Sequence, residues 1–127
     1  MEILVDTSVW IDYFRGGSES GKIDLLIDEN LLAINDLILT ELIPLLVIKK
    51  EYELIKRLKI IKNLKIKPDW NEIREYQIRC LRSGSSGIGI PDLMIAQNSI
   101  QHNVLVYSFD KHFDYMYDAE IGIRLYN

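Results

Sequence analysis

Cysteine is almost absent from this chain, which holds Cys80 alone among 127 residues. A single cysteine excludes disulfide bonds within the chain and zinc sites built from several cysteines, and it makes a reducing cytoplasm the expected location. The longest apolar run, residues 37–48, falls short of the ~20 residues that span a bilayer. Residues 1–15 have no basic segment ahead of an apolar one, so we expect neither a secretory signal nor a membrane partner.

The chain also has no excess of positive charge, since its formal net charge is −4. That balance argues against a protein that binds nucleic acid over its whole surface. The charge is uneven, because residues 49–67 hold eight lysines and arginines against two glutamates. A basic strip of this kind suits a phosphate backbone, but a solvated helix face is the commoner explanation. For RNA contacts we favour Arg79 and Arg82, which lie just before a glycine- and serine-rich segment.

That segment, residues 83–89, lacks the lysine that follows a phosphate-binding P-loop, and no clear strand precedes it. It is too short and too central for a linker between domains, so we expect a mobile loop beside a site. A chain of this length is large enough to bury one core. The sequence therefore predicts a single domain over residues 1–127.

The opening stretch contains the first functional signal. Residues 3–5, Ile-Leu-Val, form an unbroken apolar run that is typical of a strand buried on both faces. Asp6 follows where that strand must end, and a helical pattern begins directly after it. Ligand sites of open α/β sheets lie beyond the carboxyl ends of the strands, although an aspartate before a helix is also an ordinary N-cap.

Further apolar runs alternate with helical patterns along the chain. Additional strands are predicted at four places: residues 31–34, 64–67, 104–107 and 121–125. Helices are predicted between them, and Pro44 is expected to kink or break the one over residues 37–49. Strands that alternate with helices predict an α/β fold, a three-layer α/β/α sandwich with a mostly parallel central sheet.

Three acidic residues occupy corresponding places in this pattern. Asp6 and Asp110 each follow a hydrophobic strand, and Asp92 stands in the first turn of a helix. Each also has an ordinary explanation, Asp6 and Asp110 as helix N-caps and Asp92 as a charge that favours a helix N-terminus. If the sheet is parallel, its strands end at one edge, so these carboxylates face a common crevice.

Glu41 adds a fourth carboxylate, within an otherwise apolar helical segment. A buried carboxylate is costly unless it pairs with a base or coordinates a cation, so we expect a salt bridge or a metal ion there. Carboxylates that converge raise one another's pKa unless cations neutralise them. Oxygen ligands suit Mg²⁺ or Mn²⁺, and such ions activate water and stabilise displacement at phosphorus. The pattern therefore predicts metal-dependent hydrolysis of phosphodiesters.

The segments that carry these acids resemble the successive motifs of PIN domains. They are residues 6–12 (DTSVWID), 40–42 (TEL), 90–96 (IPDLMIA) and 108–113 (SFDKHF). Their order and spacing, together with the chain length, are similar to those of VapC-type toxins from bacterial and archaeal toxin–antitoxin pairs. The resemblance implies an endoribonuclease that hydrolyses RNA with metal-activated water, forms a homodimer and is held inactive by a cognate antitoxin protein.

The resemblance also assigns roles to particular side chains. It implies that four acids bind Mg²⁺ or Mn²⁺ and are catalytic: Asp6, Glu41, Asp92 and Asp110. Three hydroxyl residues match family positions where one orients a ligand or water: Thr7, Ser8 and Ser108. Many members have a further acid two residues after the last one, where this chain has His112. The number of ions therefore stays open.

Three other functions remain open. A nuclease-derived module that binds RNA or protein without cutting is one, although all four acids are present. An RNA-processing nuclease without an antitoxin is the second. The third is a phosphatase or phospho-acceptor domain with Asp6 as nucleophile, but haloacid-dehalogenase-type enzymes have a second acid two residues later, where this chain has Ser8.

Overall fold

Four short parallel strands form the centre of the structure, a computed structural model that describes residues 1–127. The strands are β1 (Ile3–Val5), β2 (Leu32–Ile34), β3 (Lys62–Asn63) and β4 (Leu105–Tyr107). They stand in the order β3-β2-β1-β4, and every pairing is parallel. The apolar run of β1 suits its inner place, because all three of its residues are buried.

Seven helices flank this sheet. They are α1 (Thr7–Phe14), α2 (Ser20–Asp28), α3 (Asp36–Ile48), α4 (Tyr52–Ile60), α5 (Trp70–Arg82), α6 (Ile90–Gln101) and α7 (Lys111–Asp118). The predicted α/β/α fold with a parallel central sheet is therefore confirmed. None of the helices combines the length and the apolar character that crossing a membrane requires.

The order of the strands determines where a ligand site is expected. The chain adds β2 and then β3 on one side of β1, and only later adds β4 on the other side. The direction of winding therefore reverses between β1 and β4, and open α/β sheets bind their ligands beyond the strand ends at such a point. Asp6 follows β1 directly, and residues 108–110 follow β4. Both segments thus border the crevice.

The strand predicted at residues 64–67 is wrong, since the edge strand is β3, two residues earlier. The edge strand ends early because the neighbouring strand, β2, is short. β2 ends at Ile34, whose carbonyl accepts the amide of Leu64 at 2.7 Å, and no further ladder partner follows. The next carbonyl groups of the chain accept hydrogen bonds from the side chain of Asn98 instead.

The strand predicted at residues 121–125 is also wrong. Only an isolated bridge forms there, between Val106 of β4 and Leu125. Gly122 has a φ of +110°, a backbone conformation outside the range of an extended strand, so the segment turns before it reaches the sheet.

Pro44 was expected to kink or break its helix, and the break does not occur, because α3 continues over residues 36–48. Proline has no amide hydrogen to give to the carbonyl four residues earlier, which here belongs to Thr40. Both Thr40 and Pro44 lie on the exposed side of α3, where water can satisfy that carbonyl. The helix therefore tolerates the proline.

A buried pair of asparagines connects the helices that lead into the crevice. The side chain of Asn35 caps α3 by accepting the amide of Ile38 at 3.0 Å, and it donates to Asn98 of α6 at 2.9 Å. Asn98 in turn donates to the carbonyls that follow β3. The pair therefore fixes α3, which carries Glu41, relative to α6, which carries Asp92.

We expect Asn98→Ala to lower the free energy of unfolding by about 3 kcal/mol, because the substitution leaves several buried polar groups without partners. Urea denaturation measures this loss. Gln101→Ala is the matched control on the same helix, since Gln101 is exposed and bonds only the Lys67 carbonyl. Equal losses in the two variants would show that the buried pair does not stabilise the fold.

Candidate functional site

Asp6 lies in the crevice between β1 and β4 and is only 6% exposed. It occupies the N-cap position of α1, but its side chain caps no backbone amide. Instead, Oδ2 of Asp6 accepts hydrogen bonds from the hydroxyls of Ser8, at 3.1 Å, and Ser108, at 2.8 Å. The side chain of Asp6 is therefore directed at the sheet edge, and the N-cap explanation does not account for it.

The two serines connect the ends of β1 and β4. Their Oγ atoms lie 3.3 Å apart. Ser108 also accepts the amide of Asp110 at 2.9 Å, and Ser8 accepts the amide of Phe109 at 3.0 Å. These hydroxyls thus hold the segment after β4 against Asp6, which brings the first and last acids to one place.

Asp92 lies in the first turn of α6, and its carboxylate contacts the first turn of α7. Its Oδ2 lies 3.0 Å from Nδ1 of His112, which is also 3.7 Å from Oδ1 of Asp110. Asp110 caps α7 by accepting the backbone amide of His112 at 2.9 Å, so its N-cap role is real. The hydrogen bond to Asp92 raises the pKa of the His112 imidazole.

Glu41 reaches the same region from α3. Thr7 donates its hydroxyl to Oε1 of Glu41 at 3.0 Å, and Thr7 is the residue that follows Asp6. The burial expected for Glu41 is wrong, because this residue is on the exposed side of α3 beside Thr40 and Pro44. Only the neighbours at positions 38, 39, 42 and 46 of the apolar segment are buried.

The electrostatics of the crevice show that the four acids share one environment. Desolvation raises the pKa of Asp92, and the negative charges of Asp110 and Asp6 raise it further against the opposing effect of His112. Desolvation likewise raises the pKa of Glu41, followed by the charges of Asp6 and Asp92, while the Thr7 hydroxyl lowers it. Repulsion among the carboxylates is thus part of the resting structure.

No lysine or arginine relieves this repulsion, since the ion pairs of those residues lie elsewhere in the structure. The salt bridge that was one expectation for Glu41 is therefore absent. Ligand atoms of Asp92, Asp110 and His112 lie within 4.8 Å of one another, close enough to meet on one ion. Uncompensated carboxylate oxygens are the donors that hard divalent cations prefer, so these residues fit such an ion.

Arg79 and Arg82 are not in this cluster. They lie near the last turn of α5, and with residues 118–120 they line a shallow surface cavity. Arg79 donates to the carbonyl of Glu120, just beyond the C-terminal end of α7, whereas the acids gather at the beginning of that helix. An eight-residue helix spans about 12 Å. The arginines therefore lie about one helix length away from the acids.

The sequence leaves the role of His112 open and contains only one local signal for it. It stands two residues after Asp110, in the first turn of the helix that Asp110 caps. Its proximity to Asp92, which is 20 residues away on another helix, depends on how α6 packs against α7. No periodic pattern in the sequence reports that packing.

The comparisons with known proteins identify the fold independently. The family model of the PIN domain matches residues 3–119. No curated protein gives a significant sequence match.

Several solved structures are similar to this chain. FitAcB from Neisseria gonorrhoeae gives a TM-score of 0.71 at 22% identity, over 98% of this chain and 96% of that one. VapBC2 from Rickettsia felis, bound to a DNA fragment from their promoter, gives a TM-score of 0.72 at 20% identity, over 100% of this chain and 98% of that one. VapBC-1 from nontypeable Haemophilus influenzae gives a TM-score of 0.74 at 18% identity, over 100% of this chain and 98% of that one. At these identities the likeness shows a common fold.

Proposed function

This chain belongs to the PIN domain family, and we propose that it is a Mg²⁺- or Mn²⁺-dependent endoribonuclease that acts as the toxin of a type II toxin–antitoxin pair. One observation carries the proposal. Four carboxylates without a lysine or arginine partner lie near one another at the point of the sheet where α/β proteins bind their ligands. PIN domains are in general nucleases, and this donor set is the one that phosphodiester hydrolysis with a divalent cation requires.

Each side chain of the cluster has a defined task in this proposal. The acids would hold the ion: Asp6, Glu41, Asp92 and Asp110. When bound, the cation supplies an activated water and neutralises the charge that develops at phosphorus. Ser8 and Ser108 fix the carboxylate of Asp6, and Thr7 fixes that of Glu41, so the ligand oxygens are arranged before the substrate arrives.

Helix N-termini favour a phosphate at the same place. Helices α1 and α7 begin directly after Asp6 and Asp110, and α6 begins two residues before Asp92. The partial positive charge of a helix N-terminus stabilises nearby anions. Three such termini therefore offset part of the repulsion that a nucleic-acid backbone meets beside four carboxylates.

The substrate class is tested with a single-stranded RNA oligonucleotide and a DNA oligonucleotide of matched sequence, each incubated with purified protein and Mn²⁺ or Mg²⁺. We expect cleavage of the RNA alone. We also expect no 2′,3′-cyclic phosphate among the product ends, because water and not the 2′-hydroxyl attacks phosphorus. Mass spectrometry of the fragments identifies those ends.

Three outcomes of this assay would contradict the proposal. Cleavage of the DNA to the same extent would make the chain a nuclease without preference for RNA. Cyclic phosphate ends would exclude attack by water. Binding of RNA without products, independent of metal, would instead support a module that no longer cuts.

We infer an antitoxin partner from the similar structures, which are complexes of a toxin with its antitoxin. We propose that a cognate antitoxin protein likewise binds this chain and blocks the cluster. A surface cavity of about 560 Å³ offers an apolar surface for a protein partner. Apolar side chains of three helices line much of it, among them Trp10, Phe14, Ile27, Leu54 and Leu58. A nuclease that no partner inhibits would be an RNA-processing enzyme.

We further propose that the chain forms a homodimer. Four large apolar residues are exposed around the turn that joins α3 to α4: Leu45, Val47, Ile48 and Tyr52. Ile48 is the most exposed of these four, at 81%, so a second copy that covers this turn removes apolar surface from water. Light scattering of the purified protein is expected to give twice the 14.8 kDa of one chain.

Ile48→Asp is expected to convert the dimer to a monomer in the same experiment, because a charge in an apolar interface is strongly unfavourable. Its thermal midpoint at low concentration should match that of the wild type, since Ile48 adds little to the core. Ile90→Asp is the matched control, at another exposed isoleucine. A monomeric wild type, or a dimeric Ile48→Asp variant, would contradict this interface.

A further inference from the structure

His112 is the one nitrogen donor among the oxygen donors of the crevice. Its Nδ1 lies 3.0 Å from Oδ2 of Asp92 and 3.7 Å from Oδ1 of Asp110. The ring is about one-third exposed, so it lies at the mouth of the cluster and not in the core. The other histidine, His102, ends α6 and faces the carbonyl of Lys65.

The spacing of these atoms fits ligands of a common ion. Two neighbouring ligands at ~2.1 Å from an octahedral cation stand about 3.0 Å apart. Nδ1 of His112 and Oδ2 of Asp92 have this separation. A small movement of Asp110 would complete a set of three, because all three ligand atoms already lie within 4.8 Å of one another.

The backbone directs the ring of His112 toward this position. Asp110 accepts the amide of His112 at 2.9 Å, which fixes the first turn of α7 against the crevice. The side chain then reaches Asp92 through Nδ1, while Nε2 contacts no hydrogen-bonding group of the protein. Once Nδ1 gives up the proton that it donates to Asp92, the neutral ring keeps its other proton on Nε2 and the lone pair of Nδ1 is available for a metal ion.

We propose that Nδ1 of His112 is a direct ligand of the bound cation, which makes the site a mixed nitrogen–oxygen site that prefers Mn²⁺ to Mg²⁺. This inference rests on the proposed metal-dependent function. Imidazole is a good ligand for transition metals, whereas Mg²⁺ prefers oxygen and exchanges its water reluctantly. An acid at this position would give an all-oxygen site without that preference.

The direct test is electron spin echo envelope modulation of Mn²⁺ bound to protein purified without a histidine tag. Coordinated imidazole produces a nitrogen-14 modulation, which we expect in the wild type and in His102→Ala. We expect the modulation to disappear in His112→Ala. Modulation that persists in His112→Ala, or that is absent from the wild type with Mn²⁺ bound, would overturn the inference.

Calorimetric titration with Mn²⁺ and with Mg²⁺ gives a second readout that does not involve RNA. His112→Ala is expected to weaken Mn²⁺ binding about 10- to 100-fold, and Mg²⁺ binding by clearly less. His112→Asp should retain binding but lower the ratio of Mn²⁺ affinity to Mg²⁺ affinity. An unchanged ratio in His112→Asp would show that the imidazole does not select the ion. Circular dichroism in chelator confirms that each variant is folded.

These results separate this inference from the proposed function. Wild-type protein that binds Mn²⁺ and cleaves RNA but shows no nitrogen modulation would support the proposed function and contradict His112 as a ligand. Wild-type protein that binds neither ion would contradict both the inference and the proposed function. Loss of the modulation in His112→Ala, with Mn²⁺ still bound weakly by the acids, supports His112 as a ligand and the metal site of the proposed function.

Discussion

Asp6→Asn is expected to reduce the rate of RNA cleavage at least about 100-fold, the loss typical of damage to the surroundings of a metal ion. The substitution removes one negative charge from the centre of the cluster but keeps an oxygen that accepts the hydroxyls of Ser8 and Ser108. Activity should therefore fall without loss of the fold. The initial rate with a labelled RNA in Mn²⁺ or Mg²⁺ measures the effect.

Thermal unfolding in the presence of a chelator distinguishes this result from simple misfolding. The Asp6→Asn midpoint should equal or exceed that of the wild type, because the charge of Asp6 repels Asp92 and Glu41. Asp114→Asn is the control, since Asp114 is an exposed acid of α7 outside the cluster. A large fall in the Asp6→Asn midpoint would mean that Asp6 serves the fold and not the reaction.

A divalent cation is expected to stabilise the wild type strongly. Binding to the native state alone adds about 2.7 kcal/mol when the free ion is at 100 times its Kd. For a chain of this size that corresponds to a rise of roughly 10 °C in the thermal midpoint. The physical reason is that the ion neutralises carboxylates that no lysine or arginine pairs with.

Sodium chloride at matched ionic strength is the control for general screening of charge. We expect the sodium salt to have a small effect, and Asp6→Asn to lose most of the rise that Mn²⁺ gives the wild type. If Mn²⁺ and sodium gave equal shifts, the cluster would be an exposed group of acids that binds no ion. If the variant rose as much as the wild type, the ion would bind elsewhere.

Much of the fold follows from local patterns in the sequence. The run Ile3–Val5 has no polar interruption, and such a run is stable only where a sheet is covered on both faces. Asp69 precedes a helical pattern in the sequence, the usual place of an N-cap, and its side chain accepts the amide of Glu72 at the start of α5. Such signals depend on neighbours within a few residues, so the sequence alone reports them.

The parts that could not be predicted depend on distant partners. The position of β3 is determined by where β2 ends and by Asn98, which takes the carbonyls that a longer strand would have paired. Glu41 was expected to be buried because its helix is apolar, but only one side of α3 is buried in the structure. His112 meets Asp92 through the packing of two helices, for which the sequence contains no local signal.

Cleavage of total cellular RNA by purified protein, followed by removal and return of the cation, directly tests whether the chain is a metal-dependent ribonuclease. We expect discrete fragments with Mn²⁺ or Mg²⁺, none in a chelator, and full recovery when excess cation is added back. Asp6→Asn prepared in parallel should yield no fragments under any of these conditions. Fragments that persist in the chelator, or that the variant produces equally, would contradict a metal-dependent ribonuclease built on these carboxylates.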